Sequence, residues 1–260
     1  MDIDRVLALY DRDERRDTEE FAMRREVAPG VVRLVDSEGT QSAIVFSELD
    51  ERTADAVIER EMRYFGELGH VLEWKLFGHD RPSDLHRRLL DHGFFAEERE
   101  SVMVLDLEEV SPVLLRPVPK SVRRIAAPEE LKDMTKVREA VWPGQLPWLE
   151  ERLAQLLRAD PDRVSVYAVY DQGEPVAAGR IHFPARSRFA SIWGGATVPD
   201  RRGQGFYTAL LAARVQEAMR RQVRYLTIDA GAMSRPIVAK LGFEEITWAQ
   251  AHVHAVQEGR

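Results

Sequence analysis

The run Thr197-Val198-Pro199-Asp200-Arg201-Arg202-Gly203-Gln204-Gly205-Phe206-Tyr207-Thr208-Ala209-Leu210-Leu211 joins an apolar strand pattern, Ile192 to Val198, to an amphipathic helix pattern. The loop between them holds two arginines and two glycines. Glycine lets a backbone come close to a ligand, and the first amides of a helix have no partners inside it. Such a loop is an anion cradle, in which N–H groups and the positive end of the helix dipole face a phosphate. Arg201 and Arg202 add positive charge at the same place. The chemistry these residues suit is the holding of a pyrophosphate.

Three kinds of phosphate loop compete for this stretch. The P-loop pattern G-x-x-x-x-G-K-[ST] is absent, which argues against nucleoside-triphosphate hydrolysis. The dinucleotide fingerprint G-x-G-x-x-G is nearly met by Gly203, Gly205 and Thr208, with Asp229 as a ribose-binding acid. Its third glycine is missing, and residues 199–202 separate the strand from the first glycine. The third candidate fits better: the segment resembles the acetyl-CoA loop of the GNAT superfamily of N-acetyltransferases, R-x-x-G-x-[GA]. Arg202 and Gly205 match it, and Tyr207 stands where that family has Gly or Ala. Downstream, Arg224–Asp229 reads as a strand and Ser234–Leu241 as a short helix, with Ser234 as N-cap, Pro236 in the first turn and Gly242 at the end. Its close, Lys240-Leu241-Gly242-Phe243, resembles the K-L-G-F ending of the second GNAT motif. Upstream, strands at Val164–Tyr170 and Val176–Phe183 flank the turn signal Asp171-Gln172-Gly173, preceded by helices near Pro128–Val141 and Pro147–Arg158. The resemblance covers residues 119–255. It implies an α+β (mixed α/β) GNAT fold, a mixed central sheet flanked by helices.

The same resemblance implies acetyl-CoA as cofactor and direct attack of an amine on its thioester. Backbone amides from Arg202 through Gly203, Gln204, Gly205, Phe206 and Tyr207 to Thr208 are expected to hold the pyrophosphate. The backbone of Thr197 and Val198 is expected to pair with the pantetheine arm and polarise the thioester carbonyl, where two parallel strands splay apart. Gly194-Gly195 marks a close backbone approach or a bulge in the first of those strands. A primary amine is mostly protonated at neutral pH and needs a base. The glutamate that family members often carry on the strand before the loop has no counterpart in Ile192–Thr197. His182 and Asp229 are the nearest titratable residues, with a surface histidine and a capping aspartate as the plainer readings. The tyrosine that usually protonates the leaving thiolate corresponds to Val238. Ser234 is expected to touch the cofactor or simply to cap its helix. Trp142 and Trp148 flank the Pro143–Pro147 loop where GNAT enzymes admit their acceptor, and with Trp193 could line its pocket; packing is the plainer role.

These residues need a scaffold, and at 260 residues the chain is expected to form one large or two small domains. A hydrophobic fraction of 44% supports packed cores. No apolar run is long enough for a membrane span, and the acidic Met1-Asp2-Ile3-Asp4 is unlike a signal peptide. The sequence has no cysteine, which excludes disulfides, thiolate zinc sites and a cysteinyl nucleophile. A net charge of −7 disfavours nucleic acid as partner. The expected compartment is the cytoplasm and the expected partner a small-molecule amine or an exposed amino group, with the chain a monomer or homodimer. A non-catalytic acyl-CoA-binding or sensing module is the alternative. No metal site is expected: His252-x-His254 lacks further ligands and reads as solvent-facing.

Residues 62–109 echo the end of the second half. A strand (Val71–Phe77), a helix (Asp80–His92) and a strand (Ser101–Leu107) place Gly93-Phe94 opposite Gly242-Phe243. The core helix Thr53–Leu68 and a strand near Ala43–Leu49 precede them, so strand–helix–strand–helix–strand recurs. The first-half loop, Leu49-Asp50-Glu51-Arg52-Thr53, has no glycine and two carboxylates, which predicts a cofactor-free domain. Its Glu73-Trp74-Lys75 and Gly78-His79-Asp80 resemble those of tandem bacterial GNAT chains. The expected domains are 1–110, degenerate and GNAT-like, and 121–260, binding acetyl-CoA. A proline-rich linker, 111–120, separates them. Residues 1–28 read as charge-rich helix.

Overall fold

The computed structural model describes residues 1–36 and 42–255. In chain order the elements are α1 (Ile3–Tyr10), continued by a π-helical turn (Asp11–Arg16), β1 (Met23–Ala28), β2 (Val31–Asp36), β3 (Ala43–Ser47), α2 (Ala54–Leu68), β4 (Leu72–Phe77), α3 (Leu85–Asp91), β5 (Phe95–Ala96) and β6 (Glu100–Asp106). They continue with β7 (Val122–Ile125), α4 (Leu131–Val141), α5 (Leu149–Ala159), β8 (Val164–Asp171), β9 (Glu174–His182), β10 (Phe189–Thr197), α6 (Phe206–Arg220), β11 (Tyr225–Ala230), α7 (Arg235–Lys240) and β12 (Glu244–His254). The segment expected to be helical through residue 28 becomes strand from Met23. The hairpin β1–β2 turns at Pro29-Gly30, where Gly30 takes a left-handed φ of 81°.

Contacts divide the chain into two compact units. The first contains Met1–Val102, Ala230–Arg235 and the segment from Glu245, and the second contains Met103–Asp229 and Pro236–Glu244. This division departs from boundaries at 110 and 121. Strand β12 pairs antiparallel with β4, from Ala249↔Phe77 to His254↔Leu72, which brings the C-terminal strand into the first unit. The end of β6 belongs to the second unit, where Leu107 N–H donates to Arg224 O (3.1 Å) and Asp106 pairs with Arg224.

In the first unit the strand order is β1-β2-β3-β4-β12, with β5 also on β12. β3 and β4 are parallel and the other neighbours antiparallel. Trp74, Ile44, Ile58, Phe65 and Leu89 form its core, and α2 contributes Ala54, Val57, Ile58 and Phe65 at helical spacing. The π-helical turn is pinned by Arg15, which is buried with Asp80 (2.7 Å) and stacked 3.8 Å over Phe77. Gly78-His79-Asp80 is structural: Asp80 holds Arg15 and accepts from Phe77 N–H (2.9 Å), while His79 bonds Asp11 (2.9 Å). Gly78 leaves room for Trp248, whose Nε1 would lie 2.5 Å from an added Cβ. His252 is fully buried and bonded to His86 (2.9 Å), so it is not a solvent-facing residue.

In the second unit β7, β8, β9 and β10 are successive antiparallel neighbours and β10 is parallel to β11. The β8–β9 turn places Gln172 and Gly173 at φ 52° and 88°, the two left-handed residues of a tight hairpin. Tyr167 OH bonds Glu217 of α6 (2.8 Å) and Tyr170 OH bonds Asp133 of α4 (2.5 Å). Successive strand side chains point to opposite faces, so α6 covers one face of this sheet and α4 the other. The recurrence expected from sequence is present and longer than expected: β1–β2–β3–α2–β4–α3 repeats as β8–β9–β10–α6–β11–α7, down to a parallel pair in each unit and a bulge in the strand pair before it.

Candidate acyl-CoA site

Strand β10 ends at Thr197, a 3-10 turn covers Pro199–Arg201, and α6 begins at Phe206 behind Gly205. Gly203 and Gly205 have φ of 75° and 85°, a region that other residues adopt only with strain, and a Cβ at either would meet open space. Among the described residues, none of the N–H groups of Gly203, Gln204, Gly205, Phe206, Tyr207 and Thr208 has an acceptor; the first loop-spanning bond of the helix is Ala209 N–H to Gly205 O (3.0 Å). Six successive donors at the positive end of a helix suit a diphosphate. The two arginines separate in role. Arg201 pairs with Asp171 (2.7 Å), so its charge is compensated. Arg202 donates through Nε to Thr197 O (3.2 Å) and has no ion pair among the described residues.

The parallel ladder between β10 and β11 holds three residue pairs, Phe189↔Tyr225, Ala190↔Leu226 and Ser191↔Thr227, and then stops while both strands run on. The strands therefore splay from Ile192 onward. Against β9 the register of β10 shifts between Trp193 and Ala196, a bulge centred on Gly194-Gly195, with Gly194 at φ 58°. Close approach operates here too: a Cβ on Gly195 would stand 3.1 Å from the Tyr207 ring. Tyr207 thus packs down against the bulge, in space that glycine provides. The expected roles of Thr197 and Val198 divide. Val198 N–H is spent on Val176 O (3.0 Å), so the backbone of Thr197, which alternates to the other side, faces the splay. The hydroxyls of Thr197 and Thr227 are buried without partners among the described residues. Orphaned donors and acceptors beside an opening of strand width fit a pantetheine arm.

Of the two titratable residues named from sequence, His182 is poorly suited to proton transfer. His182 Nε2 accepts from Arg180 Nε (3.1 Å), and burial, followed by the Arg180 charge, lowers its pKa to about 3. Its lone pair is engaged and its basicity is low. Asp229 lies half-buried near the end of β11. Val238 is fully buried on α7. Ser234 belongs to the first unit and bonds Gly231 O (3.2 Å). Trp193, 40% exposed, bonds Ser191 Oγ (2.9 Å) and shares the α4-side face with Arg180, whose guanidinium is 5.9 Å from its ring.

Comparison with known proteins decides between the phosphate-loop families. Residues 129–243, which include the whole loop, match the model of the Acetyltransferase (GNAT) family. Residues 129–243 are a GNAT acetyltransferase domain. No curated protein matches the chain by sequence. Among solved structures, a GCN5-related N-acetyltransferase from Kribbella flavida superposes with a TM-score of 0.67 at 18% identity, covering 99% of this chain and 95% of that one. A tandem GNAT protein from the clavulanic acid biosynthesis pathway gives 0.62 at 13% identity, covering 94% and 86%. A GCN5-related N-acetyltransferase from Sphaerobacter thermophilus gives 0.62 at 15% identity, covering 94% and 85%. At such identities the likeness is one of fold: a mixed GNAT sheet flanked by helices, in tandem.

Set in this GNAT domain, two residues escaped the reading of the sequence. Thr227 lies inside an ordinary apolar strand pattern, and its orphaned hydroxyl is visible only once the ladder is seen to end beside it. Arg214 looks like a solvated arginine on the polar side of a helix, yet it is fully buried.

Proposed function

We propose that the second unit is an acetyl-CoA-dependent N-acetyltransferase acting on the amine of a small molecule or on an exposed amino group. One observation carries this reading: six successive amides, Gly203 to Thr208, unpartnered among the described residues, stand at the end of a strand that splays from its parallel neighbour. In this reading those amides and Arg202 bind the diphosphate, and the Thr197 backbone and the Thr197 and Thr227 hydroxyls receive the arm. The glycines at 194 and 195 let the strand come close to it. The bound acyl-CoA supplies an activated acyl group whose thioester an amine can attack. Holding both reactants at the splay converts a bimolecular encounter into an oriented one. The acceptor amine loses its proton to water, since His182 is already engaged by Arg180. The family match supports acyl transfer; the acetyl group, the amine acceptor, a cytoplasmic location and a monomeric or homodimeric state belong to this proposal.

Val238 favours a second reading, a non-catalytic acyl-CoA-binding module, because a buried valine cannot donate a proton to a leaving group. Turnover separates the two. Acetyl-CoA with a panel of amines, followed by release of free thiol, is expected to give amine-dependent CoA formation; binding of acetyl-CoA without release across the panel would support the sensing module. NADH serves as the control for a dinucleotide site and is expected not to bind.

A further inference from the structure

Arg214 lies on the side of α6 that covers the sheet, fully buried and without an ion pair among the described residues. Its Nε donates to Leu210 O (3.2 Å) and Nη1 to Arg180 O (3.4 Å), while Nη2 has no acceptor among the described residues. The space for the guanidinium is made by two glycines. A Cβ on Gly179 would stand 2.9 Å from Nη1, and one on Gly195 would stand 3.3 Å from Nη2. The cation therefore sits directly behind the Gly194–Gly195 bulge. The groups facing it are Tyr207 from its own helix and Tyr167 from β8. Glu217, three residues along α6, has its oxygens taken by Ser165, Tyr167 and Arg221. From β9 it meets the Arg180 carbonyl, and from β10 glycine backbone; the side chains of Arg180 and His182 lie on the α4 side. Burial without a counter-ion lowers its pKa to about 10, which still leaves it charged at neutral pH.

An unpaired buried cation is costly to keep, and this one stands behind the strand along which acyl transfer would place negative charge. We propose that Arg214 is a positioning residue for acyl transfer, whose uncompensated charge behind the bulge makes the potential at the strand splay positive. This rests on the acyl-CoA reading above. In the reaction the acceptor ammonium first gives a proton to water, its nitrogen then forms a bond to the acyl carbon, the C–S bond breaks with its electron pair on sulfur, and a second proton passes from nitrogen to water, leaving the amide and the thiolate. A positive potential favours both the anionic sulfur and the neutral amine over its ammonium form. It thereby does part of the work for which this chain has neither a glutamate on β10 nor a tyrosine at position 238.

The test is the thiol pKa of CoA bound to the full chain, read from thiolate ultraviolet absorbance across a pH series. In the wild-type complex it is expected to lie below that of free CoA by about one unit, the effect of one charge over roughly 10 Å at an effective dielectric constant of about 20. Arg214→Met is expected to return it to the free value. A merely structural role would not move this readout. An unshifted thiol in the wild-type complex overturns the inference even if Arg214→Met does not fold, and so does a shift that survives in Arg214→Met. Failure of CoA to bind the wild-type chain would instead overturn the acyl-CoA reading, and the inference with it.

Discussion

The turn from β3 into α2 and the turn from β10 into α6 are the same piece of architecture in two chemical states. Both follow a strand with a parallel neighbour, and both open a 15-residue helix. In the first unit Asp50 Oδ1 accepts from Arg52 N–H (2.9 Å), Thr53 N–H (2.8 Å) and the Thr53 hydroxyl (2.9 Å), and Thr53 Oγ1 accepts from Asp50 N–H in return. These bonds, the Thr53 side-chain bond foremost, hold the Asp50 carboxyl below its usual range. A carboxylate of the chain itself occupies the place that an anion would take. The opening between the strands is filled in the same unit: the ladder ends at Ile44↔Trp74, Val45 O accepts from Arg15 Nε (3.2 Å), and the guanidinium stacks on Phe77. In the second unit the corresponding amides and the corresponding splay have no such occupant among the described residues. In the first unit the chain satisfies its own loop and strand opening, whereas in the second the equivalent groups are left unsatisfied among the described residues.

The largest effect that sharpens this contrast is on the intact loop. Gly205→Trp places a large side chain at a left-handed position facing open space, and is expected to weaken acetyl-CoA binding by at least about a thousandfold by calorimetry. Unchanged affinity would remove the loop from the site. The second effect falls on the plugged unit. Arg15→Met leaves Asp80 buried without its partner, and burial already raises the Asp80 pKa against the pull of Arg15. Unfolding free energy is expected to fall by about 3 kcal/mol in denaturant titration, with acetyl-CoA affinity unchanged.

The legible part of the molecule explains why these two variants differ. Gly203, Gly205 and Arg202 were readable because they combine residue types that no packed element needs at that spacing. The hairpin at Gln172-Gly173 was readable for a similar reason. The β1–β2 hairpin was harder to see because Arg24, Arg25 and Glu26 make β1 polar, as a partly exposed strand allows. The exchange of β12 into the first unit and the burial of Arg15, Arg214 and His252 depend on pairing between distant segments. Sequence patterns within one element carry no record of that.

A smaller effect concerns pH. Burial, assisted by His86 and Arg99, lowers the pKa of His252 from 6.5 in spite of its bond to Gln250 O. Its folded value lies below its unfolded value, so its contribution to stability is full above about pH 6.5 and is lost as the pH falls below that. Melting temperature is expected to fall between pH 7 and 5, and to fall less steeply in His252→Gln; equal slopes would contradict the assignment. The smallest expected effect is that of Asp50→Ala. Loss of this exposed cap is expected to lower the melting temperature slightly without creating acetyl-CoA binding in the first unit, because Arg15 still fills the strand opening.

The asymmetry itself is most directly tested by the stoichiometry of acetyl-CoA binding to the wild-type chain, measured by isothermal titration calorimetry. One equivalent per chain, abolished by Gly205→Trp and retained in Arg15→Met, is the predicted result. Two equivalents, or one that survives Gly205→Trp, would contradict the assignment of one self-satisfied and one open site.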